Sequence, residues 1–426
     1  MEVTQRIKAR LKEVQDWNSV IDEIEQEAVS LPEASQQSAA LFELARACED
    51  LLLDKARAMQ CYQKAFKLDQ SNLLALECAR EIYRQMAHLE MVTRLMGLEL
   101  RANKDPDRAP ALNYAYGTAM LNQRQIDQAK DFLAAAANAE PDNVDYQARF
   151  QETLYDRNNW EFGINNIVMQ LQALTASDDP LVAEVAGRGT QVSSLFLRAA
   201  RILQQEAPED PRLLPMLFKA LDADPTDAEA AFVAETILAD GGHLQHIQQL
   251  QDRRASLIED AAARSRLLTD FGNIWQVRLQ NPDMAAYFYR QALDIAYEDP
   301  AAAFTGHMAA FRTVAMTAAA SGQVEGIVAL ADRGLAAIDD PDDATIIALQ
   351  AGEFAWRTAN DIDDAHRLLG FASHRAPTHT VVVEFQSTVG AFEQADDGAA
   401  EAEAAAQAEA AAQAQAQAEA AAAAEA

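Results

Sequence analysis

Apolar residues recur at helical spacing along almost the whole chain. In the first segment, Val3, Ile7 and Leu11 lie four residues apart, which places them on one face of an α-helix. Short polar turns separate such segments from one another. Only the run 381–383 can be read as a strand, and the pattern offers no second strand to pair with it. The pattern therefore predicts an all-α chain without a sheet.

The stretch 110–143 shows this pattern most clearly. Two helix-period segments flank a short polar turn, and Pro141 follows the second segment. Small residues stand where the two helices would touch, with Gly117 in the first helix and Ala129 and Ala136 in the second. Small side chains allow helices to cross closely, and a proline ends a helix. A single hairpin of this kind cannot bury its own apolar face, so neighbouring hairpins must stack on it.

This layout resembles the tetratricopeptide repeat, a helix–turn–helix unit of 34 residues. The segments 39–72, 73–106 and 346–379 repeat the layout, whereas Asn113 occupies the position at which the family commonly has tryptophan. The resemblance implies a right-handed α-solenoid of about ten stacked hairpins.

Two prolines, Pro208 and Pro211, mark the strongest candidate boundary within the array, because each interrupts a helix. We interpret the segment 207–211 either as a division between two arrays or as an enlarged loop. Before it, residues 181–206 are predicted to form one long helix or two helices broken near Gly187. The predicted organisation is an N-terminal array at 1–206, a C-terminal array with a terminal capping helix at 207–394, and a low-complexity tail at 395–426.

Charge and composition exclude several functions. The chain carries a formal net charge of −31 over 426 residues, which disfavours binding to nucleic-acid phosphates and to anionic lipid. No apolar run approaches the roughly 20 residues that span a bilayer, and the N-terminus lacks the apolar core of a signal peptide. The three cysteines, Cys48, Cys61 and Cys78, form no C-x-x-C pair, as is usual for reduced thiols. We therefore expect a cytoplasmic protein that neither inserts into membranes nor binds nucleic acid.

The sequence contains none of the common catalytic patterns. Phosphate-binding loops, the G-x-S-x-G nucleophile turn and the H-E-x-x-H zinc pattern are all absent. His243 and His246 share a helix face and could hold a metal, but no third ligand lies nearby in the sequence, so we interpret them as surface histidines. The acidic run 339–343 lacks the spacing of a calcium loop. We therefore expect a non-enzymatic chain without a catalytic residue, cofactor or metal.

The resemblance also implies a binding surface, because the first helix of each repeat lines the concave side of the superhelix in that family. Aromatic and acidic residues on these helices suit a partner peptide or helix with apolar anchors or basic charge. In the N-terminal array, the predicted groove consists of Phe42, Glu77, Glu81, Tyr114, Thr118, Glu152 and Tyr155. In the C-terminal array, the same positions are Phe232, Thr236, Gln350, Phe354 and Arg357.

We therefore predict a non-catalytic scaffold or adaptor that binds another protein. One subset of the family grips the C-terminal carboxylate of chaperone peptides with Lys and Asn. The corresponding positions here lack that set, so we do not expect this ligand. The alternatives are a structural subunit that associates with itself, in an oligomeric state that the sequence leaves open, and an enzyme with an unrecognised site in 181–211.

Overall fold

The computed structural model describes residues 3–392, and the predicted tail at 395–426 lies outside them. The described part contains 21 α-helices and no strand, so the all-α prediction is confirmed there.

In the N-terminal half the helices are α1 (Val3–Leu11), α2 (Trp17–Val29), α3 (Ala34–Asp50), α4 (Lys55–Leu68), α5 (Leu73–Gln85), α6 (Leu89–Ala102), α7 (Ala109–Asn122), α8 (Ile126–Ala139), α9 (Val144–Glu152), α10 (Trp160–Thr175) and α11 (Thr190–Glu206). In the C-terminal half they are α12 (Leu213–Ala223), α13 (Ala228–Asp240), α14 (Leu244–Ser256), α15 (Ala261–Asn273), α16 (Pro282–Glu298), α17 (His307–Ser321), α18 (Ile327–Ala337), α19 (Pro341–Phe354), α20 (Ile362–Ser373) and α21 (Thr380–Thr388).

Side chains and prolines set where many of these helices begin. Asn72 accepts a hydrogen bond from the Ala75 amide at the start of α5, and Asp227 does the same for α13. Each cap satisfies a backbone N–H that has no partner within the helix. Pro282 and Pro341 occupy the first positions of α16 and α19, where the missing N–H has no cost.

Nine of the ten consecutive helix pairs from α1 to α20 pack as hairpins; the exception is α9 and α10, of which α9 packs against α8 and α10 against α11. The predicted close crossing of α7 and α8 is confirmed, because a Cβ atom at Gly117 would lie 2.6 Å from Leu133 Cγ, and Ala129 and Ala136 are fully buried. Gly352 of α19 packs equally closely against α20. The hairpins therefore cross where glycine or alanine lets the two backbones approach.

The final helix, α21, covers the last hairpin. Val381, Val382 and Phe385 are completely buried and join a core shared with α19 and α20. The run 381–383 is thus helical, as its lack of a partner strand predicted, and α21 packs over the last hairpin.

The prediction for residues 181–206 is wrong in its first part, since the helix begins only at Thr190. Gly187 and Gly189 have φ values of +69° and +86°, a left-handed conformation that glycine adopts without strain. Their amides donate hydrogen bonds to the carbonyl groups of Asp222 and Ala223 at the end of α12. The segment before α11 is therefore a loop tied to the next helix.

The segment 207–211 is the turn between α11 and α12, which pack as one hairpin. One continuous apolar cluster includes Leu203 before this turn and Leu213 and Leu217 after it. The division of the chain into arrays at 1–206 and 207–394 stays a prediction.

The array curves until its first hairpin contacts α17 and α19. Lys8 Nζ in α1 lies 2.7 Å from an oxygen of Asp340 and 2.6 Å from an oxygen of Asp343. Lys12 Nζ lies 2.6 Å from Asp342. Burial alone would lower the pKa of Lys8, but the two carboxylates outweigh it and raise that pKa. Burial raises the pKa of the Asp343 carboxyl.

Apolar and aromatic contacts complete this junction. The Arg312 guanidinium of α17 lies 4.7 Å from the centre of the Trp17 ring in α2. A Cβ atom at Gly306 would lie 2.6 Å from Leu53 and 2.9 Å from the carbonyl oxygen of Asp50, so the backbones meet closely. We call this junction the seam, formed by Lys8, Lys12, Trp17 and Leu53 on one side and by Gly306, Arg312, Asp340, Asp342 and Asp343 on the other.

Candidate protein-binding groove

Four first helices face one another inside the curved array. Gln205 of α11 donates a hydrogen bond to the Leu121 carbonyl of α7, and Arg149 of α9 donates to Glu229 of α13. These helices therefore meet across hairpins that are not neighbours in the sequence.

All seven residues of the predicted N-terminal groove are half-buried. Six of them lie on the first helices α3, α5, α7 and α9. Tyr155 does not, because α9 ends at Glu152 and Tyr155 lies in the turn that follows. The structure thus brings most of the predicted groove onto four successive inner helices and places Tyr155 at the end of the fourth.

The aromatic residues of the groove are supported by neighbouring rings. Tyr114 stacks on Tyr146 of α9 with ring centroids 4.8 Å apart, and Phe42 packs against Tyr62 at 5.6 Å. Burial raises the pKa of Tyr114, so the phenol is neutral at physiological pH. Tyr146, which lies about one helical turn before Arg149, was not among the predicted groove residues although it supports Tyr114.

A charged network occupies the inner side at Glu152. The Glu152 carboxylate accepts hydrogen bonds from Arg201 at 2.5 Å and from Arg149 at 3.3 Å. Both arginines also bind Glu229 of α13. Burial alone would raise the pKa of Glu229, but the two arginines outweigh it and lower the pKa to about 2. Four charges therefore form one ionised network across α9, α11 and α13.

The other two predicted carboxylates are also paired. Arg84 donates to Glu81 at 2.5 Å and 2.8 Å, and Arg108 forms an ion pair with Glu77. Arg108 also reaches Glu99, which is fully buried. All three carboxylates of the predicted groove thus have an arginine partner, so their charges are compensated within the chain.

Tyr155 and Thr118 differ in how their hydroxyl groups are used. The Tyr155 hydroxyl donates to Glu206 at 2.6 Å, and Arg157 donates to the same carboxylate oxygen at 2.8 Å. The Thr118 hydroxyl is buried and has no hydrogen-bond partner among the described residues. Tyr155 therefore anchors the turn after α9 to α11, and Thr118 leaves an unsatisfied buried hydroxyl on α7.

Asp270 of α15 is influenced by charges on the N-terminal helices. Burial by surrounding protein raises the pKa of its carboxyl, while Lys55, Arg254 and Arg84 lower it and Glu81 raises it.

Three of the five C-terminal residues predicted to line the groove lie beside the seam. Gln350, Phe354 and Arg357 border a cavity between α19 and the first hairpin. Phe232 lies against the Arg278 guanidinium at 5.5 Å, and the Thr236 hydroxyl accepts a hydrogen bond from the same arginine. Of the five residues, Gln350, Phe354 and Arg357 therefore line one cavity together, whereas Phe232 and Thr236 pack against Arg278.

Two further features bear on the sequence predictions. His243 and His246 pack edge to face with centroids 5.6 Å apart, and residues 3–392 contain no group of three or more side chains placed to bind a metal ion. Within the same range, no helix is long and apolar enough to cross a bilayer.

Comparison with solved structures returns repeat proteins of low similarity. YrrB, described as a TPR protein with an unusual peptide-binding site, is 22% identical over 47% of this chain and 92% of its own, with a TM-score of 0.26. Yeast Tom70 is 12% identical over 83% and 96% of the two chains, with a TM-score of 0.26. The TPR domain of P58(IPK) is 12% identical over 82% and 96%, with a TM-score of 0.25. No family model and no curated protein matches the chain.

The described residues form an α-solenoid of stacked two-helix units with small residues at their crossings, as the sequence layout predicted. TM-scores this low give no basis for transferring a partner or a binding site from the three solved proteins.

Proposed function

We propose that the chain is a non-catalytic scaffold or adaptor that binds a peptide or helix of another protein in the concave groove of its N-terminal array. One observation supports the proposal most directly. Half-buried aromatic rings, Phe42 on α3 and Tyr114 on α7, lie on inner helices and are held by rings behind them. Pre-positioned aromatic side chains are the residues that contribute most to binding at protein interfaces.

The charge pairing refines the expected partner. Because Glu77, Glu81 and Glu152 each have an arginine partner, a basic segment would have to compete with those arginines. Apolar anchors on the partner would instead meet the rings of Phe42 and Tyr114 without breaking an ion pair. We therefore favour a segment with apolar anchors over a purely basic one.

The experiment starts from the purified full chain. A display library of random 12-residue peptides is selected against it, and the dissociation constants of the enriched peptides are measured by surface plasmon resonance. Tyr114→Ala should weaken these peptides by about 30-fold, since an interfacial hot spot contributes about 2 kcal/mol or more. The matched control is Phe371→Ala, which removes an exposed aromatic ring from the second helix α20 and should leave binding unchanged.

Thermal melts by circular dichroism establish that both variants are folded. If Tyr114→Ala and Phe42→Ala both bind the enriched peptides like the wild type, the N-terminal groove is not the binding surface. Capture of proteins from a lysate that returns only the chain itself would favour the self-associating alternative.

A further inference from the structure

A cavity of about 350 Å³ lies at the seam. Its walls come from both ends of the sequence, with Leu11 and Trp17 from the first hairpin and Ile346 and Leu349 from α19. Its volume falls in the lower part of the roughly 300–1,000 Å³ range of small-molecule pockets. The four side chains are nearly fully buried, so they give the cavity an apolar wall.

One polar side chain in the wall has no partner for either of its functional atoms. The amide nitrogen and the amide oxygen of Gln350 are both buried, and neither forms a hydrogen bond within residues 3–392. Buried polar groups in proteins are nearly always paired, and leaving one unpaired costs about 1–3 kcal/mol. A ligand that offers both an N–H and a C=O, as an amide does, would satisfy both atoms.

Arg312 contributes a positive charge to the same cavity wall. The Arg312 guanidinium lies over the Trp17 ring, and no carboxylate of the described residues approaches it within ion-pair distance. The nearby Glu353 is already engaged, since it accepts from Gln15 at 2.5 Å and lies 3.2 Å from Arg357. Burial lowers the pKa of Arg312, but a guanidinium stays protonated at physiological pH. An anionic group of a ligand would therefore find an uncommitted donor.

His379 adds a neutral donor. Its Nδ1 accepts a hydrogen bond from the Val381 amide, and burial lowers its pKa to about 4. With Nδ1 acting as an acceptor in the neutral ring, the proton resides on Nε2. The polar side of the cavity thus combines a cation, a free amide and a neutral N–H donor against an apolar wall.

We propose that the seam cavity binds a small carboxylic acid that carries an amide beside an apolar side chain, the chemistry of an N-acylated amino acid. The carboxylate pairs with Arg312, the amide pairs with Gln350, and the apolar side chain lies against Leu11, Ile346 and Leu349. This site is separate from the N-terminal groove. Because its walls come from both ends of the chain, occupancy stabilises the closed array.

The test uses the full chain and N-acetyl-L-leucine as the probe, with binding measured by isothermal titration calorimetry. Two matched probes each lack one feature: the methyl ester has no carboxylate, and 4-methylpentanoic acid has no amide. Each should bind at least about tenfold more weakly, which corresponds to 1.4 kcal/mol. Saturable binding of N-acetyl-L-leucine with this order supports the site, whereas no saturable binding, or equal binding of all three, overturns it.

Substitutions in the cavity wall test whether N-acetyl-L-leucine binds at this site. Arg312→Gln and the near-isosteric Gln350→Leu should each weaken N-acetyl-L-leucine by about tenfold or more, whereas Arg333→Gln on the surface of α18 and Tyr114→Ala in the groove should not. Gln350→Leu keeps the size of the side chain and removes an unsatisfied group, so it tests the site even if Arg312→Gln fails to fold. Unchanged affinity in Gln350→Leu overturns the assignment.

A further binding experiment with a peptide distinguishes a free small acid from the C-terminal end of a polypeptide as the natural ligand. An acetylated hexapeptide ending in leucine presents the same carboxylate, amide and side chain on a longer chain. It should bind more weakly than N-acetyl-L-leucine, because the cavity is bounded by both ends of the array. Tighter binding of the hexapeptide would overturn the proposal of a small-molecule ligand.

Discussion

The middle of the N-terminal half and the seam are held together in different ways. Around α7 and α8 the buried apolar residues form small separate clusters, one with Met120 and Leu133 and another with Val92 and Met96. At the seam, Trp17 and Ile346 belong to the largest apolar cluster within residues 3–392, and ion pairs join α1 to the start of α19. The stretch most similar to a tetratricopeptide repeat is thus packed through contacts between helices close in sequence. The seam, which the sequence did not signal, joins helices far apart in sequence and adds buried charge.

The largest expected effect on the free energy of unfolding is at the seam, at the buried Lys8. Lys8→Met should destabilise the chain by about 3–5 kcal/mol, because it leaves buried carboxylate without its cation. Lys12→Met, on the same helix, should cost at most about 1 kcal/mol, because its pair with Asp342 is more exposed. Urea unfolding followed by circular dichroism measures both free energies. Equal losses in the two variants would mean that Lys8 is no more important to closure than a surface lysine.

Acid should act beside the seam, through His379 at the start of α21. Its folded pKa of about 4 lies below the unfolded value of about 6.5, so the unfolded chain binds the proton first. The stabilising contribution is complete above pH 6.5 and is lost as the pH falls towards 4, on the order of 3 kcal/mol in total. His379→Asn keeps a helix-capping side chain and should remove this part of the pH dependence.

The control for that experiment is His374→Asn, because His374 is exposed at the end of α20. Free energies of unfolding at pH 7 and pH 4 are compared for the three proteins. If His379→Asn loses as much stability on acidification as the wild type and His374→Asn, the histidine is not buried in its neutral form.

A substitution at the close crossing of α7 and α8 should reduce the free energy of unfolding less than the changes at Lys8 and His379. Ala136→Leu should destabilise the chain by about 1–3 kcal/mol, because extra volume in a filled helix crossing forces side chains or backbone to shift. Ala135→Leu adds the same atoms to the exposed side of α8 and should have little effect. Matching thermal midpoints for the two variants would show that the register of the repeat from 110 to 143 is wrong.

Contacts between sequence neighbours could be predicted, because they depend on the identity of a few residues. Gly117 and Ala136 had to face another helix, and the structure places them at the crossing. Tyr155 was misplaced by its repeat alignment because α9 ends one turn earlier than the family pattern implies. The predicted break near Gly187 was correct, but the helix predicted before it is absent, and the sequence could not show that the amides of Gly187 and Gly189 bind the end of α12.

Contacts between distant hairpins could not be predicted. Arg149 and Glu229 are 80 residues apart, and Lys8 and Asp340 are 332 apart. Whether such residues meet depends on the curvature of the array, which accumulates from a small rotation at each repeat. For the same reason, the sequence could identify the acidic residues of the groove but not the arginines that pair with them.

The meeting of α1 with α19 also fixes the copy number of the repeat. In an open array each unit contacts only its neighbours, so a unit can be duplicated or lost without moving the ends into conflict. Here a duplicated hairpin between α3 and α16 would carry α19 past α1 and separate Lys8 from Asp340 and Asp343. Growth by duplication of a hairpin between α3 and α16 is therefore restricted in this chain.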